Sequence, residues 1–501
     1  MKKLVCLVLF SLLLGIFFTT PNYASTLRVG IEQEAVGLDP NIVTAFASFR
    51  RIELLYNRLV TYNPSMKIIP DLAESWETPD NTTYIFHLRK GVKFHDGTEL
   101  KAEDVKFTFE RILDPKTGSP AKSYLKNVKS ITILDPYTIK IVLDQPVASF
   151  LVGLASGNCS IIPKHTVEKL GNLQREENGT GPYKLSKWIP DNYMELVKNK
   201  TYFEKGKPYI DRLVYKVIPD QMSMYTALKG KSLDLAIIRS GSVLKLAEKD
   251  KDIVVVKVPG INVHTFGYNL KREPFNNLYV RQAIASVIDR KEIIKTAAFG
   301  FGKPTGPIPI AASYWAIPPD ELPFGKPDPN KAKELLRKAG YENGLKFKIL
   351  AANKYKLADI AQVIQAQLKK VGIQTQIEIV EWGMYVNRWK KRDYDAIVEL
   401  RGGSPDPDRF LYRMIYSNGP VNNFFFSDKE IDRLLDKGRI LTDPEERKKI
   451  YDKIQYLLSE RAPIVFLYSP TVSVAHVKAL KGFKLLPNES LLYVKDAKIE
   501  K

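Results

Sequence analysis

Residues 401 to 408, Arg401-Gly402-Gly403-Ser404-Pro405-Asp406-Pro407-Asp408, concentrate groups that can handle a ligand: a guanidinium, a hydroxyl, carboxylates and adjacent glycines. Glycine lets backbone approach a ligand closely. The loop follows Tyr394 to Leu400, which reads as a strand, and ligands of open α/β sheets sit at the carboxyl ends of strands. The chemistry on offer is recognition rather than bond-making. Asp406 either takes part in it or caps a helix that starts at Pro407 and buries Phe410, Leu411 and Met414.

Catalytic patterns are missing elsewhere. His87, His95, His165, His264 and His476 are scattered without H-E-x-x-H or other ligand spacing, so no metal site and no cofactor is expected. No serine sits in a G-x-S-x-G elbow, and Gly402-Gly403-Ser404-Pro405 is the nearest failure. Gly230-Lys231-Ser232 looks like the end of a phosphate-binding loop, but Tyr225 stands where its first glycine belongs. An enzyme is not indicated, and an exported hydrolase is the weakest alternative.

The elements that must position a site are readable. Thr26 to Ile31 alternates as a strand and leads to the turn Gly37-Leu38-Asp39-Pro40, then a helix from about Ala45 to Tyr56 with Phe46, Phe49, Ile52 and Leu55 on one buried face. Thr83 to Arg89 alternates, Val105 to Leu113 follows Glu103-Asp104 as a helix, and Ile131–Ile133 with Thr138–Leu143 flank Asp135-Pro136-Tyr137 as a hairpin. After about residue 270 helices and strands alternate: Val280 to Ile288 and Leu357 to Val371 are helical, Gly372 fits a C-cap, and Ile373–Val380, Met384–Lys391 and Tyr394–Leu400 read as strand, helix, strand. That order predicts βα units and a parallel or mixed sheet.

The chain has 501 residues, 44% hydrophobic and 26% charged, which excludes disorder and a disulfide scaffold. Its net charge of +20 is spread in pairs such as Arg50-Arg51, Lys390-Lys391-Arg392 and Arg447-Lys448-Lys449, which read as solvated helix faces, so no nucleic-acid partner is expected. Met1-Lys2-Lys3 followed by the apolar run Leu4 to Thr20 reads as a signal peptide cleaved near Ala24. Its removal takes Cys6 and leaves Cys159 alone, so no internal disulfide is possible.

One ordered set of segments is more specific. Pro70-Asp71-Leu72-Ala73-Glu74-Ser75-Trp76, Thr83 through Thr98 with Phe94-His95-Asp96-Gly97-Thr98, Ala102-Glu103-Asp104-Val105, Gly179-Thr180-Gly181-Pro182-Tyr183, Gly206-Lys207-Pro208-Tyr209 and Pro274-Phe275-Asn276 resemble the signature of family 5 solute-binding proteins. The resemblance implies an α/β, two-lobed periplasmic-binding-protein clamp (type II, cluster C-like) with an additional β-rich domain. It implies lobe I from residues 25–59, 180–269 and 470–501, the extra domain from 60–179 and lobe II from 270–469. It also implies a periplasmic, monomeric receptor that closes on a small solute and delivers it to an ABC permease and ATPase.

The same resemblance names pocket residues. Peptide-binding relatives carry G-W-x-x-D-x-x-D/E-P in the loop, where the first acid holds the peptide ammonium. Here Leu400 stands at the tryptophan and Gly403 at that acid. Arg401, Gly402, Gly403, Ser404 and Asp406 are therefore candidates, and Arg401 argues for an anionic solute unless it turns to solvent. Glu34 and Ala35 fall where some relatives touch peptide, and Trp382 and Tyr385 are either pocket or lobe core. The expected solute is peptide-like, with a nickel chelate, oligosaccharide or other anionic compound as the alternative.

Overall fold

A computed structural model describes residues 25–500. The signal peptide, its cleavage near Ala24 and Cys6 lie outside the described residues. Among those described, no helix is long and apolar enough to cross a membrane. Cys159 is free and buried, and burial pushes its thiol up to about 12.

One twelve-stranded sheet carries the molecule. Its strands are β1 (Thr26–Ile31), β2 (Tyr183–Ile189), β3 (Tyr193–Lys198), β4 (Arg212–Val217), β5 (Leu235–Ala236), β6 (Ile253–Pro259), β7 (Val263–Tyr268), β8 (Gly302–Pro304), β9 (Leu345–Ala352), β10 (Ile373–Val380), β11 (Ala396–Arg401) and β12 (Ile464–Val477). They run in the order β10-β9-β11-β7-β12-β5-β1-β4-β3-β2, with β6 and β8 also paired to β12.

The strand β12 joins two half-sheets. Its first residues pair with β7, Thr265 opposite Phe466, while Thr471 to Val477 pair with β6. The chain therefore crosses between lobes twice, at residues 260–262 between β6 and β7 and near Pro470 within β12. The amide of Gly260 donates to the Pro470 carbonyl at 2.9 Å and fastens the two crossings together. β7 pairs with β11 along its whole length, so residues 263–268 share a half-sheet with β9, β10 and β11.

The segment 60–179 builds its own antiparallel sheet from Ala73–Glu77, Thr83–Leu88, Thr138–Leu143 and Val128–Asp135. Thr138–Leu143 buries every second residue, as its alternation requires. The helix Ala102–Leu113 covers the sheet and starts a little earlier than expected, with Glu103 and Asp104 in its first turn. Phe86, Phe94, Phe109 and Phe150 are fully enclosed in this domain's core, each contributing about 1.5–3 kcal/mol of burial. Two contacts fix the domain to lobe I. Arg111 donates to both carboxylate oxygens of Asp39, at 3.0 and 2.7 Å, and Lys184 Nζ donates to the His95 carbonyl at 2.7 Å.

In lobe II the helix Leu357–Lys369 buries Ile360, Ala361, Ile364 and Leu368, and Gly372 ends the turn after it with φ +87°. The helix Phe46–Leu55 of lobe I departs from its expected face, since Phe46 is 65% exposed while Arg50 and Arg51 are buried.

Candidate functional site

Strand direction decides which loops meet. β9 is parallel to β10 and to β11, so the loop at 353–356, the start of the helix Trp382–Lys391 and the loop after Arg401 share one edge of lobe II. Val263, at the end of the first crossing, pairs with Arg401 at that edge. In lobe I, β1 is parallel to β4 and β5, and Ala236 at the end of β5 pairs with Ala475, on the crossing side of His476. The loops at 32–37, 218–220 and 237–240 therefore face the crossings from the other side. Both sets lie at carboxyl ends of strands, where ligands of open α/β sheets bind.

Within the 401–408 loop most of the charge is consumed internally. Asp406 is buried and receives Arg447 as a fork, Nη1 to Oδ2 at 2.7 Å and Nη2 to Oδ1 at 2.8 Å. Its Oδ1 also accepts from the Asp408 amide at 2.9 Å, the expected cap of a short π-helical turn, Asp408–Tyr412, that leads into Arg413–Ile415. Phe410, Leu411 and Met414 are buried there as anticipated. Burial would lower Arg447, but Asp406 outweighs it and holds the guanidinium well above its ordinary value. The reading of Arg447 as part of a solvated face is corrected. Lys448 and Lys449 do face outward, paired with Asp452 and Glu446.

Arg401 is buried rather than turned to solvent. Its Nη2 reaches both oxygens of Glu399, at 2.7 and 2.6 Å, and Nε reaches Oε2 at 3.1 Å. Nη2 also donates to Asn423, and Trp389 Nε1 donates to Glu399 at 2.6 Å. The cation that argued for an anionic solute is thus balanced inside lobe II. Residues two apart on a strand share a face, so this pairing was available in the sequence.

Gly403 is required for space. A Cβ there would stand 1.6 Å from the Ile261 carbonyl oxygen in the first crossing, whereas at Gly402 nothing lies within 4 Å. No left-handed backbone angle is involved at either residue. The amide of Asp406 bonds Ser404 Oγ at 3.2 Å, so that hydroxyl is engaged in the turn.

Tyr385 belongs to the lobe core, buried and donating from its hydroxyl to the Val398 carbonyl at 2.8 Å. Trp382 stacks on it at 5.2 Å and receives Tyr355 edge-on at 5.3 Å. Tyr355 is 51% exposed and Met384 57%, giving lobe II an open apolar wall. Tyr355 and Lys356 both have positive φ, 53° and 63°, strain of the kind found at ligand clamps.

On the lobe I side Glu34 is half-buried. Its oxygens accept from Trp188 Nε1 at 2.5 Å and from the Asp191 amide at 2.6 Å. Burial pushes this carboxyl up, and these donors more than offset it, leaving it below its ordinary value. Ala35 is buried beside Val36, which is 66% exposed. Sequence reasoning missed Arg51, Glu399, Arg439, Arg447, Ser149 and Tyr355 as neighbours of the site. Only Glu399 carried a local signal, because the others depend on contacts between distant segments.

Comparison with known proteins agrees with this architecture. Residues 67–423 match the family described as bacterial extracellular solute-binding proteins, family 5 Middle. The chain is 32% identical over 462 residues to heme-binding protein A of Haemophilus influenzae, covering 85% of this chain and 84% of that one. It is 31% identical to a dipeptide-binding protein of Pseudomonas aeruginosa, with 95% of each covered. The structure of the periplasmic binding protein DppA from Helicobacter pylori in complex with the peptide STSA matches with a TM-score of 0.79 at 31% identity, over 95% of this chain and 98% of that one. The chain belongs to family 5 of the bacterial extracellular solute-binding proteins, the non-enzymatic substrate-binding components of ABC importers.

Proposed function

We propose that this receptor captures a peptide-like solute between the facing loop edges and delivers it, as a monomer in the periplasm after cleavage near Ala24, to a membrane permease with its ATPase. The observation that carries the reading is the exposed apolar wall of Tyr355, Trp382 and Met384, which lies at the same edge of lobe II as Gly402 and Gly403. Glu34, Ala35, Gly402 and Gly403 line the proposed pocket through side chain or backbone. Asp406, Arg401, Ser404 and Tyr385 support it from behind. Capture by closure follows if the solute makes more contacts in the closed state than in the open one. The relatives named for dipeptide and peptide complexes favour this class of solute.

A second reading, a non-peptide or anionic solute, is favoured by Gly403. With no acid at that position and with Asp406 neutralised by Arg447, the lobe II loop offers no free carboxylate to an ammonium group. Native mass spectrometry of the purified protein, before and after incubation with a mixed peptide pool, tests the choice. Retained peptides support the first reading, and a retained non-peptide mass with no peptide uptake replaces it. N-terminal sequencing of exported protein checks the cleavage site.

A further inference from the structure

We propose that Arg51 is an anion-recognition residue, built to take the carboxylate of a solute whose apolar body rests on Phe46 and Val36. The proposal rests on the reading of this cleft as the solute site.

Arg51 lies in the helix Phe46–Leu55 with 1% of its surface exposed, yet among the described residues no carboxylate approaches its guanidinium within ion-pair distance. Nη1 donates to the Ala47 carbonyl at 2.5 Å and Nη2 reaches the Gln33 carbonyl only at 3.5 Å, while Nε has no acceptor. The group lies over the Tyr215 ring, 4.9 Å from its centroid. The nearest acid that acts on it is Glu34, whose oxygens are already taken by Trp188 and Asp191. A buried charge without a partner is costly, and burial pulls Arg51 down to about 10.

Two other buried arginines are better supplied with acceptors. Arg290 is pulled down similarly, but it donates to the Phe466 and Gly325 carbonyls at 2.8 Å each. Its neighbour Arg50 pairs with Glu489 at 2.5 Å. Arg50 and Arg58 also leave Nε without an acceptor, but Arg50 has the Glu489 carboxylate and Arg58 turns to the 60–179 domain, donating from Nη1 to the Ala155 carbonyl at 3.1 Å. Arg51 combines an unmet donor with a place at the lobe I edge facing the crossings. Gln33 follows the end of β1, and Ala47 is in the helix's first turn. That turn is tied to the same loop by Ser48 Oγ, which accepts from the amides of Val36 and Gly37 at 3.0 and 3.4 Å. Val36 and Phe46, on this loop and at the start of this helix, are 66% and 65% exposed. An anion arriving there would replace the long Gln33 contact and supply the missing acceptor, and an aromatic or aliphatic body would cover the exposed pair.

Calorimetry with benzoate and its uncharged isostere benzamide tests this on the mature full-length protein. Wild type is expected to bind benzoate at least about tenfold more tightly than benzamide, a difference typical of one charged hydrogen-bonded pair. Arg51→Met should bind both equally, and Phe46→Ala should weaken both. Equal binding to wild type, or a preference that survives in Arg51→Met, overturns the proposal. Should Arg51→Met not fold, a wild-type crystal grown with 4-bromobenzoate decides: an anomalous bromine peak beside Phe46 supports it, and a peak elsewhere or none overturns it. The peptide pool run on the same sample keeps the two readings apart. Peptides retained while benzoate ignores Arg51 removes only this subsite, and Arg51-dependent benzoate binding with no peptide retained removes only the peptide reading.

Discussion

The hydroxyl of Ser149 donates to Oδ2 of Asp408 at 2.9 Å, joining residues 259 positions apart and binding the 60–179 domain to lobe II. Arg409 adds bonds from Nε and Nη2 to the Ser149 carbonyl at 3.2 and 3.1 Å, and the Ala148 amide donates to the Arg439 carbonyl at 2.9 Å. Since the domain is fixed to lobe I through Asp39–Arg111, these bonds span the clamp and should break when it opens. Ser149→Ala should therefore weaken closure, seen as a larger radius of gyration without solute in small-angle scattering. An unchanged radius would mean that the contact does not hold the lobes.

Asp408 also gives a pH prediction. Burial raises its carboxyl above the ordinary range, with Arg439 pulling the other way and Asp406 adding to the rise. An acid raised in the folded state contributes fully at pH values below its unfolded value of about 3.9, and the contribution is lost as pH rises through the folded value. Asp408→Asn, which stays neutral, should gain melting temperature relative to wild type as pH rises above about 4. A constant gap would show that ionisation there carries no penalty.

Removing one member of a buried ion pair leaves the other stranded. Arg447→Met should cost about 3–5 kcal/mol in urea unfolding by exposing Asp406 to that fate. Solute affinity should change little in protein that remains folded, because Asp406 acts from behind the pocket. A selective loss of affinity at unchanged stability would place Asp406 in contact with solute.

The Glu399–Arg401 pair allows a cycle. Arg401→Ala should destabilise by about 3–5 kcal/mol, and the double variant Glu399→Gln/Arg401→Met should recover much of that, because neither charge is then left alone. Additive losses would argue that the two side chains act independently.

Adjacent glycines should behave oppositely. Gly403→Ala forces its methyl against the Ile261 carbonyl and should cost about 1–3 kcal/mol, while Gly402→Ala should stay within about 0.5 kcal/mol of wild type. Thermal melts of the two variants suffice. Equal melting temperatures would show that the crossing strand yields at no cost.

Much of the fold was legible because its signals are local. The alternation of Thr138–Leu143 and the apolar offsets of Leu357–Lys369 depend on near neighbours. Phe46 was misplaced because periodicity places a residue on a stripe but does not say where the stripe ends. Arg50, Arg51 and Arg447 were read as solvated because side-chain type governs that expectation, whereas the partners that permit burial come from other segments, Glu489 and Asp406 among them. The loop itself could be found, since glycines after a strand end mark a site. Its charge balance could not, because it is set by a helix far along the chain.

The strand β12 has a consequence for the order of assembly. Ile464–Val477 supplies pairing partners to β5, β6, β7 and β8, so neither half-sheet is complete until this late segment emerges. The 60–179 domain also takes Leu486, Leu492 and Tyr493 from the last stretch into its core. Contacts so distant in sequence form slowly, and a nascent chain that stops before Ile464 lacks the strand that unites its halves. Fragments ending before this strand should stay open to proteases, with resistance arriving only once the chain extends through Tyr493.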